Sequence, residues 1–310
     1  MGSWSNVAKD TFSGFFEDNG TRLAAALSYY TVFSLPPLLI LLLLILGAVL
    51  DPQDVRALLE GQVGGLLGPA GSDQIATMLD QAARPDLSRG LAAGLGIGAL
   101  LFGAVGAFIE LQNALNRVWQ VGPDPARGGL KRFIGQRVAS FGMLLTIAFL
   151  LLVSLVISAA LEAFGEALGE MLPAALSGTV LQVINAAVAL FVITLLFAML
   201  FRFVPDAEIA WRDVWVGALV TALLFTAGKF GLGIYLGRSD PGSAFGAAGA
   251  LALLLVWIYY SAAILLLGAE FTEAYASRRG SGIEPADGAV RIVERTEVTS
   301  GEPRSRSRRR

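Results

Sequence analysis

Long apolar segments alternate with polar connections along this chain. Six of them cover approximately residues 22–50, 90–111, 138–160, 179–201, 211–236 and 245–269. About 20 predominantly apolar residues in a helix are enough to cross the hydrocarbon core of a bilayer. The pattern therefore predicts an all-α, polytopic membrane protein with six transmembrane helices and additional amphipathic surface helices.

The first apolar segment carries no formal charge between Leu23 and Leu50, but Pro36 and Pro37 interrupt it near its middle. A proline removes a backbone donor and clashes with the preceding turn, so the helix is expected to bend there. Two interpretations fit this bend. It is either a packing kink in an ordinary bundle or a functional hinge.

Less apolar sequence flanks and interrupts the predicted six-helix domain, which covers residues 21–276. Residues 1–20 place apolar side chains at helical spacing, which predicts an amphipathic helix along the inner membrane surface. These side chains are Val7, Ala8, Phe12, Phe15 and Phe16. Residues 51–87 carry frequent charges and short apolar runs, so we predict amphipathic helices on the outer surface. Residues 277–310 are expected to be a disordered, basic cytoplasmic tail that attracts anionic lipid headgroups.

Glycine repeats at a spacing of four in the second apolar segment, at Gly90, Gly94 and Gly98. Such spacing puts a strip without side chains on one helix face, which allows another helix to approach closely. We interpret it as a packing feature.

The distribution of basic residues predicts the orientation. The connection between the second and third apolar segments contains Arg117, Arg127, Lys131, Arg132 and Arg137, whereas the next connection contains no Lys or Arg. Basic residues near the ends of spans remain in the cytoplasm during insertion. Since the C-terminal tail is also basic, both termini are predicted to lie in the cytoplasm.

Composition narrows the possible functions. The chain is 55% hydrophobic with a mean hydropathy of +0.65, which excludes an ordinary soluble globule. It contains no Cys and no His, so disulfides, thiolate ligands and the commonest general base and metal ligand are absent. We therefore predict no catalytic residues, no metal site and no cofactor.

Polar and ionisable residues near the predicted spans are the candidate functional residues, because a charge within a bilayer is costly. An outer group comprises Gln182, Asn185 and Lys229, with Lys229 roughly 24 Å along its helix from the inner surface. An inner group comprises Arg22, Glu110, Asn113, Asn116 and Glu270, in which Arg22 is expected to pair with Glu110 or Glu270. Together they are predicted to form a substrate or ion pathway. The alternative is that they are interfacial anchors and hydrogen bonds between helices.

Three stretches resemble the YihY/virulence factor BrkB family of membrane proteins, formerly named ribonuclease BN. They are TRLAAALSYYTVFSLPPLL in the first span, IELQNALNRVW after the second and FGAAGALALLLVWIYYSAAILLLGAE in the sixth. The likeness covers nearly the whole chain apart from the basic tail. It implies a multi-pass protein of the bacterial cytoplasmic (inner) membrane with six helices, and it defines a fold better than a function.

The residues of this chain do not support the ribonuclease activity that the former name of the family implies. Cleavage of a phosphodiester needs carboxylates or His converging on a metal ion, or an acid and a base of suitable pKa. The carboxylates here are scattered over both sides of the membrane, and the arginine-rich tail has no aromatic residue for stacking on bases. We therefore predict neither an enzyme nor a specific nucleic-acid partner.

Two classes of function remain. Polar groups around a kinked, glycine-rich bundle favour a transporter or channel for a small solute, an ion or a lipid. The alternative is a non-transporting membrane scaffold or lipid-binding protein, which needs no pathway. A continuous polar cavity from Lys229 toward Glu110 would favour transport, and a dry apolar core between them would favour the scaffold.

Overall fold

A computed structural model describes residues 4–46, 57, 106–127, 174–238 and 249–292. This part of the chain is mainly helical. Its helices are α1 (Trp4–Glu17), α2 (Gly20–Leu46), α3 (residues 106–118), α4 (Ala174–Phe203), α5 (Trp211–Arg238) and α6 (Gly249–Arg279). Its short strands are β1 (Val121–Pro123), β2 (Ala207–Ile209), β3 (Ile283–Pro285) and β4 (Ala289–Arg291), and a 3₁₀ turn covers Pro125–Arg127.

Three of the described helices are long and apolar enough to cross a membrane, over Ala186–Phe203, Trp211–Leu232 and Ala252–Arg279. They are α4, α5 and α6, and they coincide with the last three spans predicted from the sequence. The mainly helical membrane fold is thus confirmed. The third span, residues 51–56 and 58–87, and the glycines at 90, 94 and 98 lie outside the described residues, so the total of six spans stays a prediction.

Helix α2 covers the first predicted span. It continues without interruption through Pro36 and Pro37 to Leu46, and its side chains are described up to Ser34. The bend and the hinge at these two prolines therefore remain predictions.

Helix α6 is the element around which the described helices pack. It contacts α1, α2 and α5, while α4 packs on the other side of α5. The core between them is apolar, and its largest fully buried side chains include Trp119, Phe201, Leu115 and Leu266. Because lipid tails are as apolar as these side chains, the helices are held by close packing rather than by removal of surface from water.

The contact between α5 and α6 is built from two Gly–Thr pairs in reciprocal arrangement. A Cβ atom added to Gly217 would lie 2.8 Å from Cβ of Thr272, and one added to Gly268 would lie 2.8 Å from Cβ of Thr221. Each Thr hydroxyl donates to the carbonyl four residues earlier, Thr221 to Gly217 and Thr272 to Gly268, both at 2.7 Å. The hydroxyls are therefore satisfied within their own helices, and the missing side chains let the two helices touch.

Three connections, which carry the four short strands, meet at one end of this bundle, which we call the strand-bearing end. Strand β1 after α3 pairs antiparallel with β4, with Val121 opposite Arg291. Strand β2 between α4 and α5 pairs antiparallel with β3, with Ala207 opposite Pro285. The ends of α3, α4 and α6 and the start of α5 are thereby fixed side by side.

The start of the predicted disordered tail is ordered, which corrects the boundary at residue 277. Helix α6 continues to Arg279, and β3 and β4 follow it. The tail is held because Asp213, buried at the first turn of α5, accepts a 2.9 Å hydrogen bond from the backbone N–H of Ser281. Residues 293–310, which contain most of the arginines of the tail, lie outside the described residues.

Helix α1 occupies the segment predicted as an N-terminal amphipathic helix, and its phenylalanines are divided between two faces. Val7, Thr11 and Phe15 are buried against the bundle, whereas Phe12 and Phe16 are 57% and 68% exposed. The three phenylalanines therefore do not share one face. Positions 12 and 16 are one turn apart and point away from α6, while position 15 points toward it.

Charged and aromatic side chains fasten α1 to the last turns of α6. Arg278 donates to the carboxylate of Asp10, and this hydrogen bond holds the pKa of Asp10 below its ordinary value. The guanidinium of Arg279 lies 4.3 Å from the ring centroid of Trp4, which stacks on Tyr275. These contacts hold the N-terminal half of α1 against the last turn of α6.

Candidate functional site

The motif IELQNALNRVW forms most of α3 and ends at a buried tryptophan. Trp119 is 1% exposed, its indole N–H donates to the carbonyl of Ala269 at 3.2 Å, and its ring meets Phe201 edge to face at 5.8 Å between centroids. Gln120 then adopts a left-handed conformation with φ of 53°, which ends the helix. Its carbonyl accepts the N–H of Ile292. The position of α3 is thereby fixed relative to α4, α6 and β4.

A reciprocal amide and carboxylate pair joins α3 to the turn between α4 and α5. The side chain of Asn116 donates to Oδ2 of Asp206 at 2.9 Å and accepts the backbone N–H of Asp206 at 2.8 Å. Gln112, one turn earlier, donates to the other carboxylate oxygen at 3.4 Å. The carbonyl of Asp206 accepts the N–H of Ala286 beyond β3, so Asp206 connects three segments that are distant in sequence.

A polar cavity of about 340 Å³ lies beside this junction. One wall is a single face of α3, because positions 113, 116, 117 and 120 follow helical spacing. The described residues that line it are Asp18, Asn113, Asn116, Arg117, Gln120, Val121, Gly122, Pro123 and Ile292. The cavity thus presents one guanidinium, one carboxylate and three amides at the end of an otherwise apolar bundle.

The two charged residues of the cavity face one another. Nε of Arg117 lies 3.6 Å from Oδ1 of Asp18, and their side chains are 33% and 21% exposed. Asp18 is positioned by Asn19, whose φ of 58° ends α1 and whose carbonyl accepts the first N–H groups of α2, from Arg22 and Leu23. Asparagine tolerates this left-handed conformation better than most residues.

Glu270 lies behind this cavity, in α6, with 3% of its surface exposed. Its Oε1 is fully buried and has no hydrogen-bond partner within the described residues. A Cβ atom added to Gly14 of α1 would lie 3.2 Å from Cδ of Glu270, so α1 covers the carboxyl group with bare backbone. The neighbouring residue, Ala269, is the one that accepts the indole N–H of Trp119.

The structure distributes the predicted inner group unevenly. Asn113 and Asn116 line the cavity and Glu270 lies beneath α1, whereas Glu110 is half-buried further along α3. Arg22 is exposed at the start of α2, and neither ion pair given for the described residues includes it. Its pairing with Glu110 or Glu270 has no support in this part of the chain.

The predicted outer group is described only through Lys229. Its side chain is half-exposed on α5, between Gly228, which faces Tyr260 of α6, and the exposed Phe230. The side chains of Gln182 and Asn185 are not among the described residues. Their grouping with Lys229, and a continuous path toward Glu110, remain predictions.

Three polar residues of the site were not selected from the sequence: Asp18, Arg117 and Gln120 line the cavity with the two predicted asparagines. The signal for two of them was present, because Arg117 and Gln120 continue the helical spacing of Asn113 and Asn116. Asp18 had no such signal, since only the fold brings α1 to α3.

The donor set determines what this site can do. Amide groups and an Arg–Asp pair recognise small polar or charged molecules through hydrogen bonds. Within the described ranges, no cluster of three or more acidic residues could hold a metal ion. The donor groups of the site are suited to binding a small polar or charged molecule.

These features define an integral membrane protein of packed apolar helices with a polar cavity at one end. The family described as "Virulence factor BrkB" matches residues 11–292, and the chain belongs to this family. The predicted resemblance is confirmed. No solved structure gives a significant match to the chain.

Curated relatives are named as membrane proteins and are mostly longer than this chain. A UPF0761 membrane protein of Ralstonia nicotianae is 33% identical over 256 residues, covering 82% of this chain and 55% of the relative. One of Azotobacter vinelandii is 28% identical over 274 residues, covering 86% of this chain and 63% of the relative. A UPF0761 membrane protein of Alteromonas mediterranea is 29% identical over 288 residues, covering 89% of this chain and 93% of the relative. The chain thus spans between about half and two thirds of the first two relatives.

Proposed function

We propose that the chain is a transporter for a small polar or charged solute, and that the cavity beside α3 is its binding site on the cytoplasmic side. The observation that carries this proposal is the cavity itself, with Arg117, Asp18 and three amides at the end of an apolar bundle. A scaffold does not need such a cavity. Its volume of about 340 Å³ is in the range of small-molecule sites.

We infer that the strand-bearing end faces the cytoplasm of a bacterium, with the protein in the inner membrane. The support is the concentration of basic residues there, since cytoplasmic ends of spans are enriched in Lys and Arg. Those described at this end are Lys9, Arg22, Arg117, Arg202, Arg212, Arg278, Arg279 and Arg291. With this orientation both termini and the connection after α3 are cytoplasmic, as the sequence predicts.

We propose a binding and transport role rather than an enzymatic one. Among the described residues, the lining of the cavity includes no Ser, Thr or Lys, and the chain has no Cys or His. The amides and the Arg117–Asp18 pair of this lining can hold and orient a solute through hydrogen bonds.

A lipid-binding role is the second candidate, favoured by a groove between α4 and α5. This groove of about 410 Å³ is lined mainly by apolar side chains, among them Phe191, Trp215 and Leu219. Phe191 and Trp215 stack with centroids 6.3 Å apart. The groove lies within two candidate spans, where an acyl chain would fill it.

The test of transport is solute flux into vesicles containing the purified protein, measured over a panel of anionic, cationic and zwitterionic solutes. Arg117→Gln keeps a polar side chain but removes the charge that holds a solute. Since a hydrogen bond to a charged group contributes about 1.5–3 kcal/mol, the variant should reduce apparent affinity for a transported solute by roughly tenfold or more. The control is Arg212→Gln, because Arg212 is exposed on α5 and does not line the cavity.

An equal loss of flux in Arg117→Gln and Arg212→Gln would mean that the cavity is not the binding site of the transported solute. Two results together would favour the lipid-binding candidate instead. No solute in the panel would show flux, and a lipid would copurify with the original protein but not with the Leu219→Trp variant of the groove.

A further inference from the structure

Glu270 is enclosed in a way that its acidic neighbours are not. Glu17 accepts the hydroxyl of Ser13 at 2.7 Å, and Glu273 accepts the hydroxyl of Ser277 at 2.8 Å, both in exposed positions. Asp18 lies beside Arg117. Glu270, by comparison, is only 3% exposed, and the backbone of Gly14 lies over its carboxyl group. Its Oε1 has no hydrogen-bond partner in the described part of the chain.

Among the residues that the structure describes, the charged groups around Glu270 do not supply a counter-ion. Helix α1 contributes Glu17 and Asp18, and α6 itself contributes Glu273; these carboxylates repel a charge on Glu270. From α2, Arg22 is exposed, and from α3, Arg117 is directed at Asp18. An isolated buried carboxylate is costly unless it takes up a proton or a cation.

We propose that Glu270 is a proton-binding site of this protein, covered by α1 and coupled to the solute cavity. This inference rests on the proposed transport function and identifies its coupling ion. A proton requires a single carboxylate oxygen, whereas a metal cation requires several oxygen ligands. No suitable acidic cluster is found among the residues that the structure describes. The reaction is reversible. A hydronium ion of the aqueous phase gives a proton to the carboxylate, which becomes the neutral acid, and the acid later returns a proton to water.

The last turn of α1 connects the two sites physically. Gly14 covers Glu270, and the carbonyl of Gly14 accepts the N–H of Asp18 at 2.8 Å. Asp18 in turn forms part of the cavity wall. Exchange of the proton with water requires this turn to move, and the same movement displaces Asp18 from Arg117. Proton binding and solute binding therefore both act on the last turn of α1, which is either closed over Glu270 or moved away from it. A shared element with two states is the physical requirement for coupling between two sites.

The test is labelling of the whole protein in lipid nanodiscs with dicyclohexylcarbodiimide, an apolar electrophile that takes the proton of a carboxylic acid in apolar surroundings and then bonds to its carboxylate oxygen. Peptide mass spectrometry should find the adduct on Glu270 near neutral pH, and the adduct should decline as the pH is raised and the carboxyl group loses its proton. Glu273→Gln should leave this adduct in place, and Glu270→Gln should remove it. No adduct on Glu270 at any pH between about 5 and 9 would overturn the proposal.

Two further measurements separate this proposal from the transport function. Gly14→Ala should lower labelling of Glu270, because the added methyl group displaces the carboxyl from its enclosure; unchanged labelling would contradict the covering role of α1. In vesicles, Glu270→Gln should abolish the dependence of solute uptake on an imposed pH gradient while the purified variant still binds the solute. Labelling without any solute flux would defeat only the transport function, and flux that ignores pH in the unmodified protein would defeat only the proton site.

Discussion

Truncation of Trp119 to Ala is expected to lower the free energy of unfolding by about 3–5 kcal/mol, the usual cost of removing a large buried aromatic side chain. The reason is its position at the junction of three elements. The ring packs against Phe201 of α4, and its N–H binds the carbonyl of Ala269 in α6. Removing it leaves a cavity, and the carbonyl of Ala269 loses this additional hydrogen bond.

The measurement is thermal or denaturant unfolding in detergent micelles, followed by circular dichroism. Trp119→Phe keeps an aromatic ring but loses the hydrogen bond and part of the ring volume, so it should cost at least about 1 kcal/mol and less than Trp119→Ala. Trp211→Ala is the control, because Trp211 is 44% exposed at the start of α5. If Trp119→Ala and Trp211→Ala were equally stable, α3 would not be docked as described.

Replacement of Gly217 or Gly268 by Ala is expected to destabilise the protein by about 1–3 kcal/mol each, the usual cost of overpacking a tight contact. The added methyl group meets the side chain of Thr272 or Thr221, which is fully buried and fixed by a hydrogen bond to its own helix. The Thr therefore cannot turn aside without losing that bond. Separation of α5 from α6 would also disturb Glu270, which follows Gly268 by two positions.

Gly231→Ala is the matched control on α5, because nothing lies within 4 Å of an added Cβ there. Since Ala favours a helix over Gly by about 0.8–1.0 kcal/mol, this variant should be as stable as the original protein or slightly more stable. Reading all three variants by the same unfolding experiment separates packing from helix propensity. A stabilising effect at Gly217 or Gly268 would contradict the reciprocal Gly–Thr contact.

The transmembrane helices could be predicted from the sequence because their signal is local. Long apolar runs such as 179–201, which carries no charge, and 211–236, which carries few, define a helix by length and hydropathy, and α4 and α5 lie where those runs lie. The strands could not be predicted in this way. Each has three residues, such as Ala207–Ile209, which is too short for an alternating pattern to be recognised.

The polar site was predictable only in part, since its members come from different elements. Asn113 and Asn116 were selected because they follow a span, and they do line the cavity. Asp206 was not selected, although Gln112 and Asn116 stand one turn apart and both donate to it. Its partners are about 90 residues away in the sequence, and no periodicity connects residues across such a distance.

The most direct test of the central claim, that a solute passes through the cavity beside α3, uses the absence of native cysteine. Asn113→Cys places one thiol in the cavity wall, and Ala126→Cys places one in the exposed turn after β1, outside the cavity. Both are treated in vesicles with a bulky, membrane-impermeant thiol reagent on the cytoplasmic side. The account predicts that flux stops in Asn113→Cys and continues in Ala126→Cys. Undiminished flux in the fully modified Asn113→Cys protein would contradict it.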